Sequence, residues 1–269
     1  ELKQSIEDIV KCKGRMYPTL MVVQLGDDKA SNTYIKGKEN DCKELGIEFL
    51  HYHVTDSGCK DVTTNDIAKE IFKFSYFEEP NGIIIQLPIP NQFDLGRLQK
   101  TISKYNDVDG FLKDSNFNPC TPKGIMDYLA FNNIDLGGKV CTIIGRSKIV
   151  GKPLASMMIE AGATVISCNS KTPDIRKMIK QADIVVSAIG RANHFDQSYF
   201  YKDQIVIDVG INRDEDNKLC GDVHKEVAES VTYLSPVPGG VGLLTRLALM
   251  ENVVDAWKDK YKRTYYIEW

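Results

Sequence analysis

The chain has no C-x-x-C pair, no cluster of cysteine and histidine at metal-ligand spacing, and no G-x-G-x-x-G fingerprint. Its seven cysteines, at 12, 42, 59, 120, 141, 168 and 220, form an odd set, and several stand inside apolar runs. That usage predicts reduced core thiols in a cytoplasm and argues against a disulfide framework. Only four histidines are present; His51 and His53 share one face of an expected strand, with nothing to complete a ligand set, so no metal is expected. No apolar run approaches the ~20 residues of a membrane helix, and no signal-peptide pattern stands at the start, where Glu rather than Met is the first residue. Basic charge is not in excess. Thirty-four Lys and Arg against 37 Asp and Glu leave a formal net charge of −3, which gives no footprint for nucleic acid. Anionic ligands then have to be met by local basic groups. Internal repeats and low-complexity segments are also missing.

What is present is ordinary globular composition, 42% hydrophobic and 26% charged, over 269 residues, enough for two modest cores. The stretch 140–153, V-C-T-I-I-G-R-S-K-I-V-G-K-P, runs from a β-branched apolar strand into a glycine turn. A strand ending on Gly145, with a helix restarting at Gly151, is expected to leave free backbone N–H groups where a phosphate can sit. The same pattern also serves as plain turn chemistry. Further short strands are expected at 164–167, 182–188 and 205–210, with helical stretches between them. Val- and Ile-rich strands alternating with helices predict a parallel, Rossmann-type sheet. In such a sheet a carboxylate after the second strand would favour the 2′-hydroxyl of NAD. Here Cys168, Asn169, Ser170 and Lys171 stand there instead. With Arg146 and Ser170 able to bond a 2′-phosphate, NADP is inferred.

The first half alternates as well. Strands are expected at 19–25, 47–54 and 82–86, and helices at 30–45, stopped by Gly46, and 64–74. This half has no glycine phosphate loop, so it is expected to supply substrate groups. Tyr34 and Lys38 are four apart on the first of these helices and point the same way. A Lys held in an apolar cleft can shuttle a proton, and a Tyr can stack on a flat ring; an exposed helix face would explain the pair equally. A Y-x-x-x-K also occurs in short-chain dehydrogenases, but there it follows the nucleotide loop, whereas here it precedes the loop by about a hundred residues. Gln86 stands at the carboxyl end of the third strand, where ligands bind in open α/β sheets. Asp109 lies in the turn N-D-V-D-G-F, which an Asx-turn would also explain. Near the end, Leu247, Met250, Val253, Val254 and Trp257 are expected on one packed helical face.

Six stretches carry a family resemblance: Y-I-x-x-K at 34–38, I-I-I-Q-L-P-I-P at 83–90, D-V-D-G-F at 107–111, P-C-T-P-K-G at 119–124, G-R-S-K-I-V-G-K-P at 145–153 and S-P-V-P-G-G-V-G at 235–242. In that order they resemble the bifunctional methylenetetrahydrofolate dehydrogenase/methenyltetrahydrofolate cyclohydrolase family over most of the chain. The resemblance implies two α/β domains with a cleft between them, residues 1–118 plus 244–269 binding folate and 119–243 binding NADP. It implies NADP-dependent oxidation of 5,10-methylenetetrahydrofolate, hydrolysis to 10-formyltetrahydrofolate, a place in one-carbon metabolism and purine biosynthesis, and a cytoplasmic homodimer. Lys38 is then the catalytic lysine, Gln86 its assistant and Tyr34 the ring-stacking partner. Asp109, Gly240 and Val241 contact folate, and Gly145, Arg146, Ser147, Ser170 and Ile211 contact the cofactor. The chain departs from the family pattern in a short stretch at 111–118, in Leu243 where a proline is usual, and in a short stretch before the first strand. Two other readings stand beside this one: a dehydrogenase alone, with NAD as the alternative cofactor, and a catalytically silent folate- or nucleotide-binding protein.

Overall fold

A computed structural model describes residues 2–13, 17–78 and 80–266. The chain divides into two compact units, residues 1–118 with 249–269, and residues 119–248.

The first unit opens with α1 (Leu2–Lys13), β1 (Thr19–Leu25), α2 (Lys29–Leu45) and β2 (Glu48–Val54). After them come the single turn α3 (Asp56–Cys59), α4 (Thr64–Lys73) with a π-helical turn at Phe74–Glu78, β3 (Gly82–Ile85) and the short α5 (Leu95–Gln99). The three strands form a parallel sheet in the order β2-β1-β3, and β1 is buried from Leu20 onward because it is the central strand. Alternate residues divide between the faces, as a two-residue period requires. Met21, Val23, Leu25, Ile83 and Ile85 pack with Ile67 and Ile71 of α4 and Leu98 of α5. Asp28 caps α2 by accepting from the Ser31 N–H, and Gly46 ends that helix with a left-handed φ of 78°.

Helix α4 begins with a reciprocal capping box: the Thr63 hydroxyl accepts from the Asp66 N–H and the Asp66 carboxylate accepts from the Thr63 N–H. These bonds hold the Asp66 carboxyl below its ordinary pKa. Thr63→Ala is expected to lower stability by about 1 kcal/mol, a loss that urea denaturation would read as a lower midpoint at unchanged slope.

The second unit runs through α6 (Cys120–Phe131), β4 (Val140–Ile144), α7 (Gly151–Glu160), β5 (Thr164–Cys168), α8 (Ile175–Lys180), β6 (Ile184–Ser187) and β7 (Ile205–Asp208). A small antiparallel pair, β8 (Asn212–Arg213) with β9 (Leu219–Cys220), precedes β10 (Tyr233–Leu234). The main sheet is parallel, in the order β10-β7-β6-β4-β5. The chain leaves β4 for β5 on one side and returns to β6 on the other, so the order reverses between β4 and β6. Ligands in open α/β sheets bind outside the strand carboxyl ends at such a reversal. Both faces are covered. Cys141, Ile143, Ile184, Val186 and Ile207 pack under α6 and α7, while Ile144, Val185 and Val206 face Ile179 of α8 and Phe195.

The last helix, α9 (Val241–Tyr266), buries Met250, Val253, Val254 and Trp257, but Leu247 is 51% exposed. Of the apolar stripe expected from Leu247 onward, Leu247 itself is outside the buried face, and the buried run there begins at Ala248, Leu249 and Met250. Cys42, Cys59, Cys120, Cys141 and Cys168 are buried and in no disulfide; Cys220 is half-buried, and the side chain of Cys12 lies outside the described residues. Burial pushes the Cys42 thiol up to about 12 and that of Cys141 to about 11, so both stay protonated and inert at neutral pH.

Candidate active site

The candidate residues fall in two sets, one in each unit. In the first unit, α2 and the end of β3 bring a lysine to an amide. Ser31 and Ile35 are buried on α2, and Tyr34 and Lys38 stand at the edge of that buried face. Lys38 Nζ donates to Gln86 Oε1 at 2.8 Å. Gln86, immediately after β3, is 8% exposed. Its Nε2 donates to the Leu87 carbonyl at 2.7 Å, which orients the amide so that its oxygen is left for the lysine. The Ser31 hydroxyl donates to that same carbonyl at 3.2 Å. Ser31 is thus a third member of the network, and the only sign of it in the sequence is its spacing on the helical face that carries Tyr34 and Lys38. Tyr34 is 38% exposed, and burial of its remainder raises the phenol pKa, so it is a neutral ring with one face open to a ligand.

The turn at 107–111 separates its two aspartates. Asp107 is buried and its Oδ2 accepts from the Leu112 N–H at 2.8 Å, so the turn-forming role belongs to Asp107. Asn252 braces the turn by donating to the Val108 carbonyl at 2.8 Å. Asp109 is half-buried between these fixed points.

Beside this network His51 and His53 stack, with centroids 5.3 Å apart and rings 5° from parallel. His51 Nε2 bonds Gln24 Oε1 at 2.9 Å and His53 Nε2 lies 3.0 Å from Asp27 Oδ1. Among the described residues no group of three metal-ligating side chains forms.

In the second unit, β4 ends just before Gly145, whose φ is +119°, and α7 starts at Gly151. A Cβ on Gly151 would collide with the Gly145 carbonyl oxygen, and one on Gly145 with the carbonyl of Ala188 after β6. The glycines are there so that strand, loop and helix can approach closely at the sheet reversal. The N–H groups expected to be free at the start of α7 are bonded instead. Ser147 Oγ accepts from Val150 N–H at 3.1 Å and Gly151 N–H at 3.3 Å, and the Ser147 carbonyl accepts from Lys152 N–H at 3.0 Å. Pro153 has no N–H, and that of Leu154 is bonded to Val150. A serine ahead of the helix and a proline within its first turn have used up the donors.

The exposed loop side chains remain for an anion. The Arg146 guanidinium donates to the Ser167 carbonyl, which carries it to the carboxyl end of β5. Ser170 is exposed just beyond that end, and Ile211 is 51% exposed after β7. A cradle that a Cβ would fill and a cation at the end of the second strand fit a dinucleotide with a 2′-phosphate. Val241 is 5% exposed and packs with Ile125 and Leu129, so it has only its backbone to offer a ligand. Gly240 precedes it on the wall of a cavity of about 200 Å³, shared with Tyr128, Tyr233 and Ser235.

Residues 1–109 match the catalytic domain of tetrahydrofolate dehydrogenase/cyclohydrolase and residues 119–261 match its NAD(P)-binding domain. The chain belongs to that family. The bifunctional protein FolD of Agathobacter rectalis is a 41% identical relative over 268 residues, 96% of this chain and 94% of that protein. The crystal structure of the bifunctional dehydrogenase/cyclohydrolase FolD from Campylobacter jejuni is similar at a TM-score of 0.89 and 38% identity, covering 96% of this chain and 95% of that one. The enzyme of Trypanosoma brucei, solved with NADP and an inhibitor, has a TM-score of 0.89 at 27% identity, over 97% of this chain and 93% of its own. As a tetrahydrofolate dehydrogenase/cyclohydrolase, the chain has a family match over each of its units, and both units are α/β with parallel sheets.

Proposed function

We propose that the chain oxidises 5,10-methylenetetrahydrofolate with NADP and then hydrolyses the 5,10-methenyl product to 10-formyltetrahydrofolate. The observation that carries the proposal is the hydrogen bond from Lys38 to Gln86 at the carboxyl end of β3. The two nitrogens flanking the methylene carbon stabilise the cation that remains when hydride leaves, so the first step asks the protein for position rather than for a base. Bound NADP supplies the hydride acceptor. Hydrolysis does move protons. Water adds to the methenyl carbon and gives up a proton; the adduct's hydroxyl then loses its proton as the bond to N5 breaks, N5 takes a proton, and N10 keeps the formyl group. Lys38 is the group that takes and returns protons here, with Gln86 holding its amine in place. Tyr34 stacks on the folate ring, Asp109 accepts from its amide and amino edge, and Gly240 and Val241 offer backbone groups.

In this reading residues 1–118 plus 244–269 serve the folate and residues 119–243 the dinucleotide. Gly145, Ser147 and Ile211 shape the dinucleotide seat, and Arg146 with Ser170 selects the 2′-phosphate. Arg146→Ala is expected to raise the KM for NADP about tenfold and leave that for NAD nearly unchanged, as loss of one charged hydrogen bond implies. We extend the reading to a homodimer in the cytoplasm that supplies formyl groups to purine biosynthesis. The edge strand β5, with half-buried side chains, supports pairing of two copies, and sedimentation at micromolar concentration tests it.

The function itself is tested by absorbance. Methenyl formation is followed with NADP or NAD, and methenyl decay is followed above the buffer rate. Both activities with NADP preferred are expected. Oxidation without hydrolysis would remove the cyclohydrolase, and a preference for NAD would overturn the roles of Arg146 and Ser170.

A further inference from the structure

A buried carboxylate joins the turns that follow β6 and β7. Asp222 is fully buried. Its Oδ2 accepts from the Ser187 hydroxyl at 2.9 Å and the Ile189 N–H at 2.8 Å. Its Oδ1 accepts from the Arg191 N–H at 2.8 Å and the Asn212 side-chain amide at 2.9 Å. Four donors meet the four lone-pair positions of one carboxylate, an arrangement that neither an amide nor a protonated acid can reproduce. Its backbone is held in turn: Asp208, the last residue of β7, accepts from the Asp222 N–H at 3.0 Å, the Val223 N–H at 2.8 Å and the Gly210 N–H at 2.9 Å. Burial pushes the Asp208 carboxyl up to about 6, against the pull of these donors. Gly210 and Gly221 admit the two carboxylates because a Cβ at either would collide with them.

The segments so joined lie where a ligand of this sheet would be met. Gly190, Arg191 and Ile211 are exposed at the carboxyl ends of β6 and β7, and Ala188 packs on Gly145 of the β4 loop. We propose that Asp222 is a positioning residue for the dinucleotide, fixing the 188–191 and 210–212 turns together so that their exposed edges present one preformed seat. It does not touch the ligand. This rests on the reading of residues 119–243 as the NADP-binding part.

The test is Asp222→Asn in the full chain, compared with wild type for KM and kcat of NADP in oxidation and for methenyl hydrolysis without dinucleotide. An amide turns one donor toward the buried N–H groups, so the KM for NADP is expected to rise about tenfold or more. The folate KM and the rate of hydrolysis are expected to stay within about twofold, because neither needs the seat. An unchanged KM for NADP would overturn the proposal, as would an equal fall in both activities, which marks a general structural role. Should Asp222→Asn be insoluble, Asn212→Ala removes a single donor of the four; an increase of about threefold in the KM for NADP supports the proposal and no increase overturns it. Wild-type protein without NADP-linked turnover would instead sink the functional reading itself.

Discussion

Lys38→Ala is expected to lower methenyl hydrolysis by about a thousandfold, the range of a lost general acid–base group, while the folded protein keeps its stability. Lys38 is half-buried at the surface of α2, and its removal leaves Gln86 Oε1 able to take a water. The fold therefore has little reason to suffer, and circular dichroism with a thermal scan should show an unchanged transition. Oxidation is expected to fall much less, because the cation is stabilised by the substrate's own nitrogens. Lys38→Arg sharpens the test. Arginine keeps the charge but does not give up a proton near neutral pH, so hydrolysis should stay low if proton transfer is what Lys38 contributes. Recovery of hydrolysis in Lys38→Arg would reduce the lysine to an electrostatic anchor.

The second large effect is on stability and cofactor together. Gly151→Ala places a methyl against the Gly145 carbonyl, which is backbone and cannot swing away as a side chain would. The loop must open or the helix must move off the strand. A cost of about 3 kcal/mol is expected, at the upper end of overpacking effects, with loss of NADP-linked oxidation. Ala at 152, one residue along, is the control, because Lys152 is exposed and its substitution should be silent. Equal stability of Gly151→Ala and wild type in urea would show that the close approach at the sheet reversal is not required.

How far this architecture could be read beforehand follows the strength of each local signal. Strand 19–25 is legible over the residues that form it, because six apolar or β-branched positions out of seven, ending at a glycine, admit little else. The expected strands at 182–188 and 205–210 shrink to four residues each, since periodicity does not tell where pairing stops. Strand β10 has two residues, too few to show any period, and α6 begins in P-C-T-P, which looks like a turn although proline is tolerated in a first helical turn. Tyr34 and Lys38 could be placed on one face by spacing alone. The link from Lys38 to Gln86, 48 residues further on, follows from strand order, which the spacing of residues does not contain. The pairing of Asp208 with Asp222 is invisible for the same reason, as each looks like an ordinary loop carboxylate. The N–H groups at the start of α7 look free from the strand–glycine–helix pattern, because nothing in that pattern marks Ser147 as their acceptor.

That cap has a consequence for conditions as well as for geometry. In the proposed dinucleotide seat the N–H groups of Val150 and Gly151 are spent on Ser147, so the exposed side chains of Arg146 and Lys148 carry the attraction for phosphate at the start of α7. Exposed cations act over distances comparable to the ~8 Å screening length of physiological salt. Preference for the dinucleotide with the extra phosphate should accordingly narrow as ionic strength rises, and titrations at several salt concentrations would display the discrimination as an adjustable property of the medium.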